Sequence, residues 1–221
     1  MTVLRTLGKL LISVGVGVLL FVAWTLWGTG LSTDRAQAAL ESDFGVQPPI
    51  DARELSREGV QSFKVDDSFK PAPGEGVFRI VIPKIDVRAM VVEGVETEQL
   101  REGPGHYPDC RQGFNKPLCT TQEAVWPGEV GRVIISGHRT TYGGPFYDID
   151  RLREGDEIQL ETKWGDFTYE VTGSEIVAPN ARDIATPISD RPELVLTTCN
   201  PRFSAAERLI VSAELTEASL L

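Results

Sequence analysis

In the stretch LVLTTCNPRFSAAERLIV, residues 194–211, an apolar run ends in a cysteine, Cys199, and an arginine, Arg208, opens a second apolar run nine positions further on. A thiolate can attack a carbonyl carbon, and a guanidinium can hold the oxyanion that the attack creates. Turn-formers lie between them, so the two runs fold back as antiparallel strands and Arg208 comes to lie beside Cys199. Arg202, in the turn itself, is the weaker rival. A second apolar run, RVIIS at 132–136, stops at Gly137 and is followed by His138. If that run is the parallel neighbour of ELVLTT, thiol and imidazole share one rim, and imidazole is the side chain suited to move protons near neutral pH. The loop after it, RTTYGGPF, offers Gly143 and Gly144 for close backbone approach, with Tyr142 and Phe146 as aromatic walls.

Each residue also has a plainer reading. A cysteine in an apolar strand is ordinarily a core thiol, an arginine an ion-pair partner, and a Gly-Gly pair a turn. Convergence of three chemical roles on one rim favours the catalytic reading. The chain has two histidines; His106, between Pro104 and Pro108, is expected at the surface.

These residues need strands to position them. Val77–Ile82, Ala89–Val92, Arg132–Ser136, Glu157–Glu161, Phe167–Val171, Leu194–Thr198 and Leu209–Val211 read as short strands bounded by Gly and Pro. Glu157–Glu161 and Phe167–Val171 alternate and so have one wet face. Helical periodicity is weak, with a short segment near Phe146–Leu152. The pattern predicts an all-β barrel or sandwich over residues 77–216, a length that can bury a useful core. Residues 217–221 are expected to be a tail.

Leu10–Trp27 carries no charge, and apolar or small residues extend it to about Leu31. Roughly 20 such residues cross a bilayer as a helix. Arg5 and Lys9 precede it, which keeps the N-terminus cytoplasmic and the remainder extracytoplasmic. Trp24 and Trp27 fit the far interface. Ala36-Gln37-Ala38 offers a signal-peptide cleavage site as the alternative; the length of the span favours an uncleaved anchor, residues 1–31. Residues 32–76, with Pro48, Pro49, Pro71 and Pro73, read as a linker, with a short helix possible over Ser32–Ser42.

Net charge is −10 over 221 residues, with no basic block, which argues against a nucleic-acid partner. Three cysteines in an extracytoplasmic chain pose the question of pairing. Cys110 and Cys119 bracket a polar loop, and a bridge there would stabilise by roughly 2.5–3 kcal/mol; a metal site with His106 is the alternative, though the spacing matches no common zinc pattern. Cys199 is then the lone thiol.

The set SGHRTTYGGPF, LTTC and RLIV resembles the sortases, the cysteine transpeptidases of Gram-positive surfaces, and is most similar to class E enzymes of actinobacteria. VIPKIDV resembles the family's early strands, so the likeness runs from about Val77 to Glu214. The resemblance implies an eight-stranded β-barrel with short helices behind the transmembrane helix. It also implies Cys199 as nucleophile, His138 as general acid/base and Arg208 as oxyanion or substrate-positioning cation. Thr198 matches a position that contacts substrate or shapes the oxyanion site; Thr197, Tyr142 and Asn200 are expected beside it. The implied reaction cleaves an LPxTG- or LAxTG-like signal between Thr and Gly and transfers the protein to a peptidoglycan-precursor amine. The alternative is a secreted cysteine peptidase or amidase. The implied partners are proteins bearing that signal, the amine, and membrane lipid around the helix. No cofactor or metal is expected; part of the family depends on calcium, and no acidic cluster here calls for it. CRQGFNKPLCTTQEAVW reads as an insertion. The absence of a second apolar span and of an Asp-Pro-aromatic lid points to a housekeeping attachment enzyme over a pilus polymerase.

Overall fold

The computed structural model describes residues 2–45, 53–54, 63–108, 123–181 and 188–220. One sheet contains β1 Arg53–Glu54, β2 Gly76–Ile82, β3 Val87–Glu93, β4 Gly105–His106 and β5 Gly131–Ser136. It continues with β6 Glu157–Thr162, β7 Gly165–Val177, β8 Pro192–Asn200 and β9 Glu207–Leu220. The strand order is β1-β9-β7-β6-β2-β3-β4-β5-β8, and β8 also pairs with β9. Strands β2 to β9 therefore close into an eight-stranded barrel, with β1 added on the margin of β9. Closure is thinnest at β4, which pairs two residues with β3 on one side and two with β5 on the other.

The two pairings that matter are the ones the sequence pattern predicts. β5 and β8 run parallel, and β8 and β9 run antiparallel. Side chains alternate along each strand. Leu194, Leu196, Val133, Ile135, Leu209 and Val211 therefore point into the barrel and join Phe78, Phe146, Phe167 and Tyr169 in the core. Each fully buried large apolar side chain stabilises by roughly 1.5–3 kcal/mol.

Several expectations need correction. His106 is buried, not at the surface, at 1% exposure. Its Nδ1 lies 2.7 Å from Glu93 Oε2 and its Nε2 lies 3.0 Å from the Val125 carbonyl oxygen. Both neighbours are acceptors, an arrangement that favours the protonated imidazole. Burial alone would lower its pKa, but the Glu93 charge and hydrogen bond outweigh it and the net direction is up. The flanking prolines mark chain reversals, not exposure.

The described parts of 32–76 pack on the barrel and are not a free linker there. Helix α1, Thr2–Ala23, passes through a π turn at Trp24–Gly28 into α2, Thr29–Phe44. Leu40 and Phe44 of α2 pack on Met90 and Val92 of β3. Further on, Phe63 packs on Phe167 and Phe69 on Trp164, both with ring centroids 6.1 Å apart. The amide of Val65 donates to buried Glu129. The tail at 217–221 is likewise part of the barrel through Leu220, because β9 pairs with β7 up to Gly165. Near Phe146–Leu152 the helical segment is a single 3-10 turn, Ile149–Arg151. Cys110 and Cys119 lie outside the described residues.

Along α1 the apolar side chains are exposed: Leu11, Leu19 and Phe21 are 65–70% accessible. Leu4–Phe44 is one 41-residue helix, long and apolar enough at its N-terminal end to cross a membrane.

Candidate active site

Cys199 stands at the end of β8 with Arg208 as its direct partner on β9. Opposed residues on antiparallel strands project to the same face, with Cβ atoms about 4.5–5.5 Å apart. Thr197 and Val195 alternate onto that face with Cys199, outside the barrel. On the other flank, β5 pairs Ser136 with Thr197. Two hydrogen bonds extend this pairing past the strand end. The Gly137 amide donates to the Thr197 carbonyl at 3.1 Å, and the Thr198 hydroxyl donates to the Gly137 carbonyl at 2.7 Å. His138 therefore leaves β5 level with the residue after Thr198, which is Cys199.

The turn at Gly137 has no room for a side chain. A Cβ there would lie 2.6 Å from the ring of Phe146. That ring is fully buried, and the Phe146 amide donates to the His138 carbonyl at 3.1 Å. The loop thus closes on itself over an aromatic anchor. Phe146 is core, not a wall of the cleft.

The His138 ring is 4.9 Å from the Tyr142 ring, centroid to centroid, and its Nδ1 is 3.4 Å from the Thr141 hydroxyl oxygen. Arg101, on α3 (Thr97–Glu102), lies over the Tyr142 ring, 5.8 Å from its centroid. Burial, and then the charge of Arg101, push the His138 pKa down. The resting ring is neutral at neutral pH. Its Nε2 is buried with no hydrogen-bond partner among the described residues. His106 is sealed in a core ion pair, whereas His138 is only half-buried.

Arg208 is half-buried and curls over its own turn, donating from Nη1 to the carbonyls of Ala205 and Glu207 at 3.2 and 2.9 Å. Its charge reaches Tyr107: burial raises the pKa of that phenol, and Arg208 and a hydrogen bond with Ser136 offset part of the rise. Tyr107 and Val177 pack against Ile134, Val195 and Ile210. Ile134 is the register partner of Val195, and Ile210 of Thr197. These residues form an apolar floor on the outer face that carries Cys199.

The remaining candidates hold the site together from within. The Thr198 hydroxyl is engaged by Gly137, and Thr197 is buried. Asn200 is bonded on both ends of its amide, accepting from Arg139 at 2.7 Å and donating to Glu207 at 2.8 Å. Arg202 is tied to Asp148 and Asp150 and stacks on Tyr147.

Sequence reasoning missed Arg139. This side chain is 4% exposed and spans the loop and the strand end. Nη1 donates to the Cys199 carbonyl at 3.3 Å and to Asn200, Nη2 pairs with Asp150 at 2.9 Å, and Nε donates to the Tyr147 carbonyl at 3.4 Å. Nothing in the spacing of Arg139 marks it, apart from its place next to His138. Tyr107 was missed because its neighbour His106 drew the surface reading. Among the described residues no three His, Cys, Asp or Glu side chains cluster as a metal site would require.

Residues 80–216 match the model of the sortase domain. The chain belongs to the sortase family. Sortase D of Bacillus subtilis is 32% identical over 77% of this chain and 77% of its own length. Among solved structures, this sortase is similar to sortase E1 of Streptomyces coelicolor with a tripeptide in the active site (28% identity, TM-score 0.58, 68% of this chain and 94% of that one). It is also similar to sortase C of Clostridium perfringens with the C-terminal cell-wall sorting motif (26% identity, TM-score 0.55, 69% and 77%). Sortases are cysteine transpeptidases that act on proteins bearing a sorting motif, and the likeness to sortase E1 agrees with a class E character.

Proposed function

We propose that this sortase is held in the membrane by α1, with its barrel outside the cell, and transfers surface proteins to a cell-wall amine. Cys199 is the nucleophile, His138 the acid/base and Arg208 the oxyanion cation. The observation that carries this reading is the register: Cys199 faces Arg208 directly, and the β5 end delivers His138 to the same rim.

The chemistry follows from the resting state. Neutral His138 takes the thiol proton on Nε2 as sulfur attacks the Thr carbonyl of an LPxTG- or LAxTG-like signal. A C–S bond forms, and the charge on oxygen is met by Arg208. His138 then returns the proton to the departing Gly nitrogen as the C–N bond breaks, leaving a thioester. An acceptor amine attacks that thioester and loses its proton to His138; a new C–N bond forms as the C–S bond breaks, and His138 returns the proton to the departing sulfur, regenerating the thiol. The floor of Ile134, Val195, Ile210 and Tyr107 would take the apolar residue upstream of the cleaved bond.

The test is the full chain in detergent with a set of LPxTG and LAxTG peptides, with and without an added amine, read by mass spectrometry. Amine-bearing product that disappears in Cys199→Ala supports transfer. Product that never carries the amine leaves a hydrolase; undiminished activity in Cys199→Ala removes the mechanism.

A further inference from the structure

Helix α2 reaches the candidate site through one stripe of residues. Thr29, Thr33, Gln37, Leu40 and Phe44 recur every three or four positions and so share one face. Each meets the barrel or the loops on it. The Thr29 hydroxyl oxygen accepts the amide of Tyr142 at 3.1 Å while its proton goes to the Thr25 carbonyl. The Thr33 hydroxyl donates to the carbonyl of Arg101 at 2.8 Å. Gln37 behaves as a piece of strand: its amide oxygen accepts from the Met90 amide, and its amide nitrogen donates to the carbonyls of Met90 and Glu102. Leu40 and Phe44 supply the apolar end of the contact.

The two residues held by the threonines both bear on His138, beside Thr141 at its Nδ1. The Tyr142 ring lies 4.9 Å from the imidazole, tilted by 37°, and Arg101 lies over the Tyr142 ring. Tyr142 sits at φ 51°, in the left-handed region, which costs a residue with a side chain about 1–2 kcal/mol. The hydrogen bond to Thr29 compensates for that conformation. Beside it, a cavity of about 590 Å³ lies between α2 and the barrel, lined in part by Thr33, Gln37, Tyr142 and Gly143. Tyr142 therefore has space to move into once it is released.

We propose that Thr29 and Thr33 are positioning residues for His138. Acting through Tyr142 and Arg101, they fix the imidazole, and α2 is a structural part of the active site instead of a tether. This rests on the reading of His138 as the acid/base group. The charged and titratable groups beside His138 are Arg101, with Glu98 paired to it at 2.8 Å, and Tyr142; the β5–β8 register brings Cys199 level with it, and Asp34 of α2 lines the cavity beside Tyr142.

The experiment uses the full chain in detergent micelles carrying Thr29→Val and Thr33→Val together, changes that keep the shape of the side chain and remove its hydrogen bonds. Ser32→Ala on the same helix is the control; it removes an exposed hydroxyl that bonds only within the helix. Two readouts are taken. The first is the ring titration of His138 by NMR in a Cys199→Ala background, assigned with His138→Asn. The midpoint should move up towards the ordinary imidazole range in the double variant and stay in place in Ser32→Ala. The second is steady-state transfer, where kcat should fall by about fivefold for each hydrogen bond lost, with little change in KM. An unchanged His138 titration overturns the proposal, whether kcat holds or falls with the melting temperature. A wild-type chain with no Cys199-dependent transfer removes the reading of the function, while the NMR titration still decides whether the helix sets the state of His138.

Discussion

Arg139 donates a hydrogen bond to the backbone carbonyl of Cys199, 3.3 Å away, from the position next to His138. The loop that carries the imidazole and the strand end that carries the thiol are thus joined by one buried guanidinium. Asp150 balances its charge, and Asn200 and Tyr147 take its other donors. In the proposed reaction, where His138 and Cys199 come from separate strands, this bridge would set their spacing.

Arg139→Lys is expected to lower kcat by about 10- to 100-fold, the size of one or two lost hydrogen bonds to a charged group. A lysine has one nitrogen and cannot serve four acceptors. Steady-state transfer beside thermal unfolding checks this. Wild-type kcat in a folded Arg139→Lys protein would rule out the bridge as a determinant.

His106→Ala should destabilise the fold by about 3–5 kcal/mol, because it leaves Glu93 charged and buried without its partner. The wild-type protein should also show a pH signature. The folded-state pKa of His106 is raised, so its contribution is fully present below the unfolded value near 6.5 and is lost as pH rises through the folded value. Denaturant midpoints measured from pH 6 upwards should fall, and the slope should be absent in a variant lacking His106.

The pKa of His138 is lowered by burial and by Arg101, so the sign for this group is opposite. The neutral form is favoured in the folded state, and the stability it contributes is present above about pH 6.5 and lost as pH falls through the folded value. Arg101→Gln should raise the midpoint, shifting the acid limb of the kcat/KM profile to higher pH. An unshifted limb would mean that the guanidinium does not act on this imidazole.

Thr198→Val removes the hydroxyl that satisfies the Gly137 carbonyl. A buried acceptor left unpaired costs about 1–3 kcal/mol, here at the junction of β5 and β8. Both the melting temperature and the transfer rate should drop, and Thr198→Ser should restore most of each. Gly137→Ala should be more damaging, because the new methyl meets the Phe146 ring.

Much of this fold was legible because barrel strands write their pairing into alternation. RVIIS and ELVLTT both end at a chemically distinctive residue, and that shared ending predicted the parallel pair that β5 and β8 form. What stayed hidden depends on contacts without period. β4 is two residues long and α3 is the polar TEQLRE, too short for any pattern. The docking of α2 uses polar side chains on backbone groups, and such residues look like a solvated spacer until their partners are placed. The burial of His106 needs Glu93, which arrives from a neighbouring strand. The role of Arg139 needs a carbonyl 60 positions away.

The unbroken run from α1 into α2 fixes where chemistry can occur. Thr29, which holds the loop of His138, follows Trp27 by two residues, or about 3 Å of helix rise. On the proposed topology, with α1 in the bilayer and Trp27 at its outer boundary, the cleft would rest on the lipid headgroups instead of riding at the end of a flexible arm. A lipid-borne acceptor would then not need to leave its leaflet, and a protein still threaded through the membrane would present its cleavage point at the height of the thiol.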